Sequence, residues 1–290
     1  GSEMVVVSTD PITGATDRAG WLAVKVAVND IGASGAEPVC VLVTLLLPEG
    51  FTEDDLFALT NDIHEACVEE NVAVAGGHSE VTPGLTKPII SVAAIGKTRN
   101  RRVLSASGAK VGDDIVVTKW AGLEGTAILA KDFRDVLLAH ISEDLVDAAS
   151  RLMDSVSVTQ DGKIAVAHRA TGCHDATEGG VLGAIYEVCE ASGTGATVDI
   201  ARIPVLEVTD AIARLTGINP LRLVSSGCLV VTTPNGAELC QVYREHGINA
   251  EVVGKITLRE RKTVESGKTH ELGAPEADEL WRARRFLEGL

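Results

Sequence analysis

Four short apolar runs, rich in β-branched residues, crowd the first hundred positions: MVVVST from 4, VCVLVTLLL from 39, VAVAG from 72 and IISVAAIG from 89. Runs of this length and make-up read as strands. Between the first two lies DRAGWLAVKVAVNDIGASGA, where Trp21, Val24, Val28 and Ile31 recur at helical spacing, with Asp17 as a plausible N-cap. Thr52 caps a second helix reaching about residue 70, with Leu56, Leu59, Ile63 and Cys67 on its inner face. Strands that alternate with amphipathic helices call for an α/β fold. Aromatic residues are only 3% of the chain against 45% apolar, so the core is one of Val, Ala, Leu and Ile.

TRNRRVLSASGAKVGD, at 98–113, is polar, basic and glycine-containing, and reads as a boundary. The pattern gives an N-terminal domain at 1–98, a C-terminal domain at 110–260 and a C-terminal tail helix at 261–290. In the second domain DIVVTK, KIAVAHRA, ATVDIARI, GCLVVTT and AEVVGKIT read as strands. Helices are expected from about Thr126, near 142–154, over VLGAIYEVCEAS, and at about 207–216 and 236–247. This is a second α/β unit.

The formal net charge of -15 argues against nucleic acid and anionic membranes as main partners. An acidic chain that handles phosphates therefore needs main-chain donors or a metal ion at the site. No run approaches the ~20 apolar residues of a membrane span, and no secretory signal is visible. The six cysteines form no CxxC pair and read as small hydrophobes in a reducing cytosol.

Several polar residues interrupt this apolar pattern. Asp10 stands directly after the first strand, where Pro11 is expected to stop the ladder; it is either a turn residue or a ligand. Asn29 and Asp30 break an apolar helix, so Asp30 is either on a wet face or beside a cation or donors. AGGHSEVTPG, at 75–84, is expected to be a loop carrying His78, Ser79 and Glu80. Asp10, Asp30 and Glu80 would suit a hard cation such as Mg²⁺. AGLEGT at 121–126 and TGCHDATEGG at 171–180 are glycine loops expected to leave N–H groups free at a helix start. Neither fits the P-loop or dinucleotide-binding pattern. Cys173, His174 and Asp175 are sequence neighbours, which argues against a zinc or nucleophile site.

VVVSTDPITG, VNDIGASGAEPVCVLVTLLLP, GGHSEVTPG and CHDATEGGVLGAIYEV, in that order, resemble the aminoimidazole-ribonucleotide (AIR) synthetase superfamily, and within it AIR-synthase-related proteins similar to the hydrogenase maturation factor HypE. The resemblance spans nearly the whole chain. It implies a PurM-like two-domain α/β (α+β) fold, with an N-terminal domain that forms a β-barrel-like interface in a homodimer. ATP and Mg²⁺ would lie in a cleft built partly by both subunits. By position, Asp10 and Asp30 match the metal aspartates, with Asn29 completing an Asn-Asp pair. Gly76, Gly77, His78, Ser79 and Glu80 match a nucleotide loop, and Asp175, Thr177, Gly179 and Gly180 match a D-x-T-x-G-G segment. Glu80 and Asp175 are the catalytic candidates.

The implied reaction is ATP-dependent phosphorylation of an amide- or carbonyl-type oxygen on a small-molecule or carbamoyl-type substrate, with a maturation protein as further partner and a cytoplasmic location. A non-catalytic nucleotide-binding scaffold and a thiamine-monophosphate-kinase-like phosphotransferase are the alternatives. The sequence also departs from the family. Relatives carry a preceding segment with a glycine-rich loop, whereas here the first strand begins near residue 4. HypE proteins end in a cysteine, whereas this sequence ends RRFLEGL and its last cysteine is Cys240.

Overall fold

A computed structural model describes residues 3–13, 18–98 and 101–290, so the proposed cap Asp17 lies outside the described residues. The chain divides into two compact units, Gly1–Val103 and Leu104–Leu290.

The first unit contains β1 (Met4–Ile12), α1 (Ala19–Ala33), β2 (Glu37–Leu47), α2 (Glu53–Glu70), β3 (Ala73–Val81) and β4 (Ile89–Thr98). The strands form one sheet in the order β1-β4-β2-β3. β4 is antiparallel to both neighbours, and β2 and β3 are parallel. On α1, Trp21, Val24, Val28 and Ile31 are all buried, as their spacing requires. Thr52 caps α2 in a full capping box: its hydroxyl accepts from the Asp55 N–H and the Asp55 carboxylate accepts from the Thr52 N–H. Leu59, Ile63 and Cys67 are buried, while Leu56 is half-buried.

Two expectations about this sheet need correction. β1 does not stop at Pro11 but continues to Ile12, with Pro11 opposite Ser91. β1 is an edge strand, where a residue with no N–H interrupts no second ladder. Gly76–Glu80 are not a loop either, because β3 carries them as an edge strand along β2. The pairing slips between Val41 and Leu42, leaving Ala75 as the extra residue of a bulge. A Cβ on Gly77 would lie only 1.9 Å from the Val43 carbonyl oxygen, so glycine is what lets β3 reach its neighbour here.

Along β1 the exposure alternates, with Ser8 and Asp10 turned to the side packed by α1, and Val5 and Val7 left exposed at 70% and 62%. Leu42 on β2 shares that open face, through its partner Ala93, and is 41% exposed.

The second unit contains β5 (Asp114–Thr118), α3 (Leu123–Asp132), α4 (Arg134–Leu138), α5 (Glu143–Ser150), α6 (Thr159–Ala167), β6 (Gly172–Asp175) and α7 (Gly180–Ser192). It continues with β7 (Gly195–Asp199), α8 (Glu207–Thr216), β8 (Leu229–Thr233), α9 (Gly236–Glu245), β9 (Ala250–Thr257), β10 (Arg261–Glu265), β11 (Lys268–Glu271) and α10 (Glu279–Leu287). Its seven-stranded sheet has the order β11-β10-β7-β9-β5-β8-β6, with only β10 and β7 parallel. Val181, Ile185 and Val188 of α7 pack on Ile115, Val117, Val198 and Val230 of the sheet. Leu129, Leu137, Val146, Ile212, Ala283 and Leu287 make a second, all-helical core.

Here too the sequence reading needs correction. KIAVAHRA is not a strand but the end of α6, where Ile164 and Ala165 are buried. A short apolar run does not distinguish the two states. The strand is instead β6, which takes in Cys173, His174 and Asp175 of the expected loop. The tail is not helical from 261, since β10 and β11 extend the sheet before α10 begins.

Candidate functional site

β1 and α1 carry the two candidate metal aspartates, Asp10 and Asp30. The Ser8 hydroxyl donates to the Asp30 carboxylate. Asp10 lies two residues farther along the same face of β1, a step of about 7 Å. Both aspartates are half-buried, and Asn29 beside Asp30 is buried. Among the described residues no three His, Cys, Asp or Glu side chains gather as a metal cluster. Two carboxylates nonetheless suit Mg²⁺, which is held by one or two protein carboxylates and fills its remaining positions with phosphate oxygens and water.

The glycine-histidine segment lies at the opposite edge of the same sheet. Asp10 pairs with Val92, Val92 with Val43 and Val43 with Gly77. That row spans three strand spacings, about 14 Å. Within one chain, Asp10 and the 76–80 segment therefore stay apart. β3 and α2 enclose a groove of about 370 Å³, lined by Val43, Ile63, His64, Val74, Gly77 and Ser79 among others. Ser79 pairs with buried Leu45, whereas His78 and Glu80 share the other face of β3. There His78 Nε2 lies 3.2 Å from Glu80 Oε2, and the Thr82 hydroxyl donates to Glu80 Oε1 at 3.1 Å. These hydrogen bonds from His78 and Thr82 hold the Glu80 carboxyl below its usual range.

In the second unit, Asp175 ends β6 and the glycines follow at the start of α7. His174 bridges two carboxylates, with Nδ1 3.4 Å from Asp175 and Nε2 2.9 Å from Glu187. Burial alone would lower its pKa; the two carboxylates outweigh that and raise it. Thr177 is half-buried and its carbonyl accepts from the Gly180 N–H. Gly180 has φ 64°, and a Cβ there would meet the Leu221 carbonyl at 2.6 Å. Burial pushes the Cys173 thiol far up, which removes it as a nucleophile.

The two glycine turns are not open anion sites at the positions given by the sequence. The Gly122 N–H donates to Ser225 Oγ and the Gly125 N–H to the Val224 carbonyl. At α7 the Gly179 N–H donates to Asp278, the N-cap of α10, at 2.8 Å. The Asp278 carboxylate also accepts from the Val224 and Leu280 N–H groups, so it pins three segments together. Beside it is Glu124, in the first turn of α3, 8% exposed and bonded to Ser226. Its Oε2 is buried with no hydrogen-bond partner. Burial raises the Glu124 pKa, and the Asp278 and Glu178 charges add to the rise.

Sequence reasoning missed Asp278, Glu124 and Ser226. Asp278 had a usable signal, an Asp directly before a helical run in ADELW. Glu124 had none, since a Glu in a first helical turn is ordinarily exposed.

Family comparison agrees with this architecture. The N-terminal domain of AIR synthase related proteins matches residues 1–98 and the C-terminal domain matches 110–267. A Methanocaldococcus jannaschii protein assigned to hydrogenase expression and formation is 32% identical over 84% of this chain and 72% of its own. The carbamoyl dehydratase HypE of Cupriavidus necator is 30% identical over 82% of this chain and 67% of its own. A crystal structure of the hydrogenase maturation protein HypE in complex with ATP has a TM-score of 0.80 at 24% identity, covering 97% of this chain and 87% of that one. Two domain matches in register with two separately folded units leave one conclusion: the chain belongs to the AIR synthase related family.

Proposed function

We propose that the protein is an ATP- and Mg²⁺-dependent enzyme of the AIR synthase and HypE type, which phosphorylates an amide- or carbonyl-type oxygen and so prepares it for dehydration or nucleophilic attack. The observation that carries this reading is the hydrogen bond from Ser8 to the Asp30 carboxylate, made on the face of β1 that also carries Asp10.

Asp10 and Asp30 would hold the metal, which when bound offsets the charge of the phosphates in an otherwise acidic protein. Ser8 fixes the Asp30 carboxylate, and buried Asn29 backs that turn of α1. Gly76, Gly77, His78 and Ser79 would take the nucleotide. They lie on the edge opposite Asp10, so the reading includes a homodimer in which the β3 edge of one subunit approaches β1 of the other. The open apolar face with Val5, Val7 and Leu42 supports that arrangement. Glu80, kept ionised by its hydrogen bonds from His78 and Thr82, would reach the metal or the substrate. Asp175, Thr177, Gly179 and Gly180 would line the substrate end. The substrate is a small carbamoyl- or carboxamide-type molecule, and a maturation protein would supply or receive it. Six free cysteines, five of them buried, fit a reducing cytoplasm.

Calorimetry with Mg²⁺ and a non-hydrolysable ATP analogue tests the site. Asp30→Ala should abolish binding while sedimentation still shows a dimer, and unchanged affinity would refute the assignment. ADP release with carboxamide substrates separates catalysis from a binding scaffold. A stable phosphorylated product would instead identify a phosphotransferase.

A further inference from the structure

Among the described residues, Glu124 is one of two buried acids in the second unit with an oxygen that has no hydrogen-bond partner; the other, Asp161, pairs with Lys119 through its second oxygen. Ser226 engages the Glu124 carboxyl through its side chain and its backbone, yet Oε2 is sealed from water and makes no hydrogen bond. A carboxyl oxygen left in that state costs free energy that a ligand donor would recover. Asp278, close by, shows the contrast, because both its oxygens accept N–H groups, Oδ2 that of Gly179 and Oδ1 those of Val224 and Leu280.

The charges around Glu124 define the ligand. Asp278 and Glu178 both face it closely enough to disfavour its ionised form. A second anion is therefore repelled, whereas an N–H donor relieves both the orphaned oxygen and the crowded negative charge. Asp278 already directs both its oxygens at N–H groups, which argues against its sharing a metal ion with Glu124. Asp278, whose charge reaches Glu124, is also the acceptor of the Gly179 N–H, which links this acid to the glycine turn at 179–180.

We propose that Glu124, oriented by Ser226, forms a subsite for a ligand nitrogen, with Oε2 accepting an N–H from a primary amide or an ammonium group beside the Gly179–Gly180 turn. The proposal rests on the reading that the second unit takes the substrate, and it adds that the substrate is gripped at its nitrogen by Glu124. Amide and ammonium share the donor but differ in charge. An ammonium favours the ionised acid, and an amide leaves its protonation nearly unchanged.

The test is an NMR titration of the full chain labelled at the glutamate side-chain carboxyl, with the Glu124 signal identified by its loss in Glu124→Gln. Acetamide and methylammonium chloride are the probes; potassium chloride and tetramethylammonium chloride, which lack N–H, are the controls. A saturable shift of the Glu124 carboxyl with one or both probes and neither control is expected. Methylammonium, but not acetamide, should also lower the pH at which that signal titrates. The Gly180 and Ser226 amides should report the same affinity, weakened about tenfold or more in Glu124→Gln, as for loss of one charge-assisted hydrogen bond. Ser226→Ala should weaken it less while leaving the carboxyl visible. No saturable shift, or an equal one with the controls, overturns the proposal. Calorimetry of Mg²⁺ and ATP analogue on the same sample reports separately on the nucleotide reading.

Discussion

Asp10 and Gly77 stand in one row of the first sheet, at its opposite edges, with Val92 and Val43 between them. Two residues that the family resemblance assigns to one nucleotide site are thus separated, within one chain, by the full width of a sheet. The second copy in the proposed homodimer answers that separation. Charge on the open face should then break the dimer: Val7→Lys combined with Leu42→Lys should give a monomer by sedimentation and reduce nucleotide affinity at least about tenfold. Retention of the dimer would place the interface elsewhere.

Gly77 and Gly76 are adjacent but should behave differently. At Gly77 an added methyl meets the Val43 carbonyl at 1.9 Å, whereas at Gly76 it meets only a Leu42 side-chain carbon at 3.5 Å. Gly77→Ala should lose about 2 kcal/mol or more in denaturant unfolding, and Gly76→Ala should stay within about 1 kcal/mol.

Asp278→Ala leaves the N–H groups of Gly179, Val224 and Leu280 without their acceptor in a buried setting. A loss of about 3 kcal/mol is expected. Asp278→Asn should recover only part of it, since its amide keeps one accepting oxygen. Hydrogen exchange at Gly179 and Val224 should accelerate in both variants.

Glu124 has a folded-state pKa raised from 4.5. An acid shifted upward favours the folded state most when protonated, so its contribution falls as pH rises from the unfolded value through the folded one. Glu124→Gln keeps the shape and removes the titration. The difference in melting temperature between Glu124→Gln and wild type should therefore grow in favour of the variant between pH 4.5 and neutrality. A difference that does not change with pH would mean Glu124 ionises normally.

His174 shifts in the same direction, but through its carboxylate partners rather than through burial. Its pKa is raised from 6.5 by Asp175 and Glu187, so its stabilising effect is complete below 6.5 and is lost as pH rises through the folded value. Glu187→Gln should bring the imidazole titration, followed by NMR, back down toward 6.5. An unchanged midpoint would show that Glu187 does not act on the ring.

Much of the fold was legible because burial leaves periodic traces. Trp21, Val24, Val28 and Ile31 had to share one side of α1, and Thr52 marked the start of α2 by a capping box that the structure contains. What failed was local state where composition is ambiguous. Glycines at 76 and 77 suggest a loop until a neighbouring strand explains them, and Pro11 suggests a stop until β1 proves to be an edge. KIAVAHRA has the composition of a strand, yet Ile164 and Ala165 are buried on a helix. The candidate site was legible only where residues lie close along the chain or match a family motif. The Ser8–Asp30 bond and the unsatisfied oxygen of Glu124 depend on tertiary placement, which one sequence does not record.

The hydrogen bond from Gly179 to Asp278 joins positions 99 residues apart. It makes the last helix an anchor for a turn that the chain completes much earlier. Whatever loosens α10, whether a bulky C-terminal fusion or a protease cut near 275, should be felt first at the glycine turn rather than at the terminus itself.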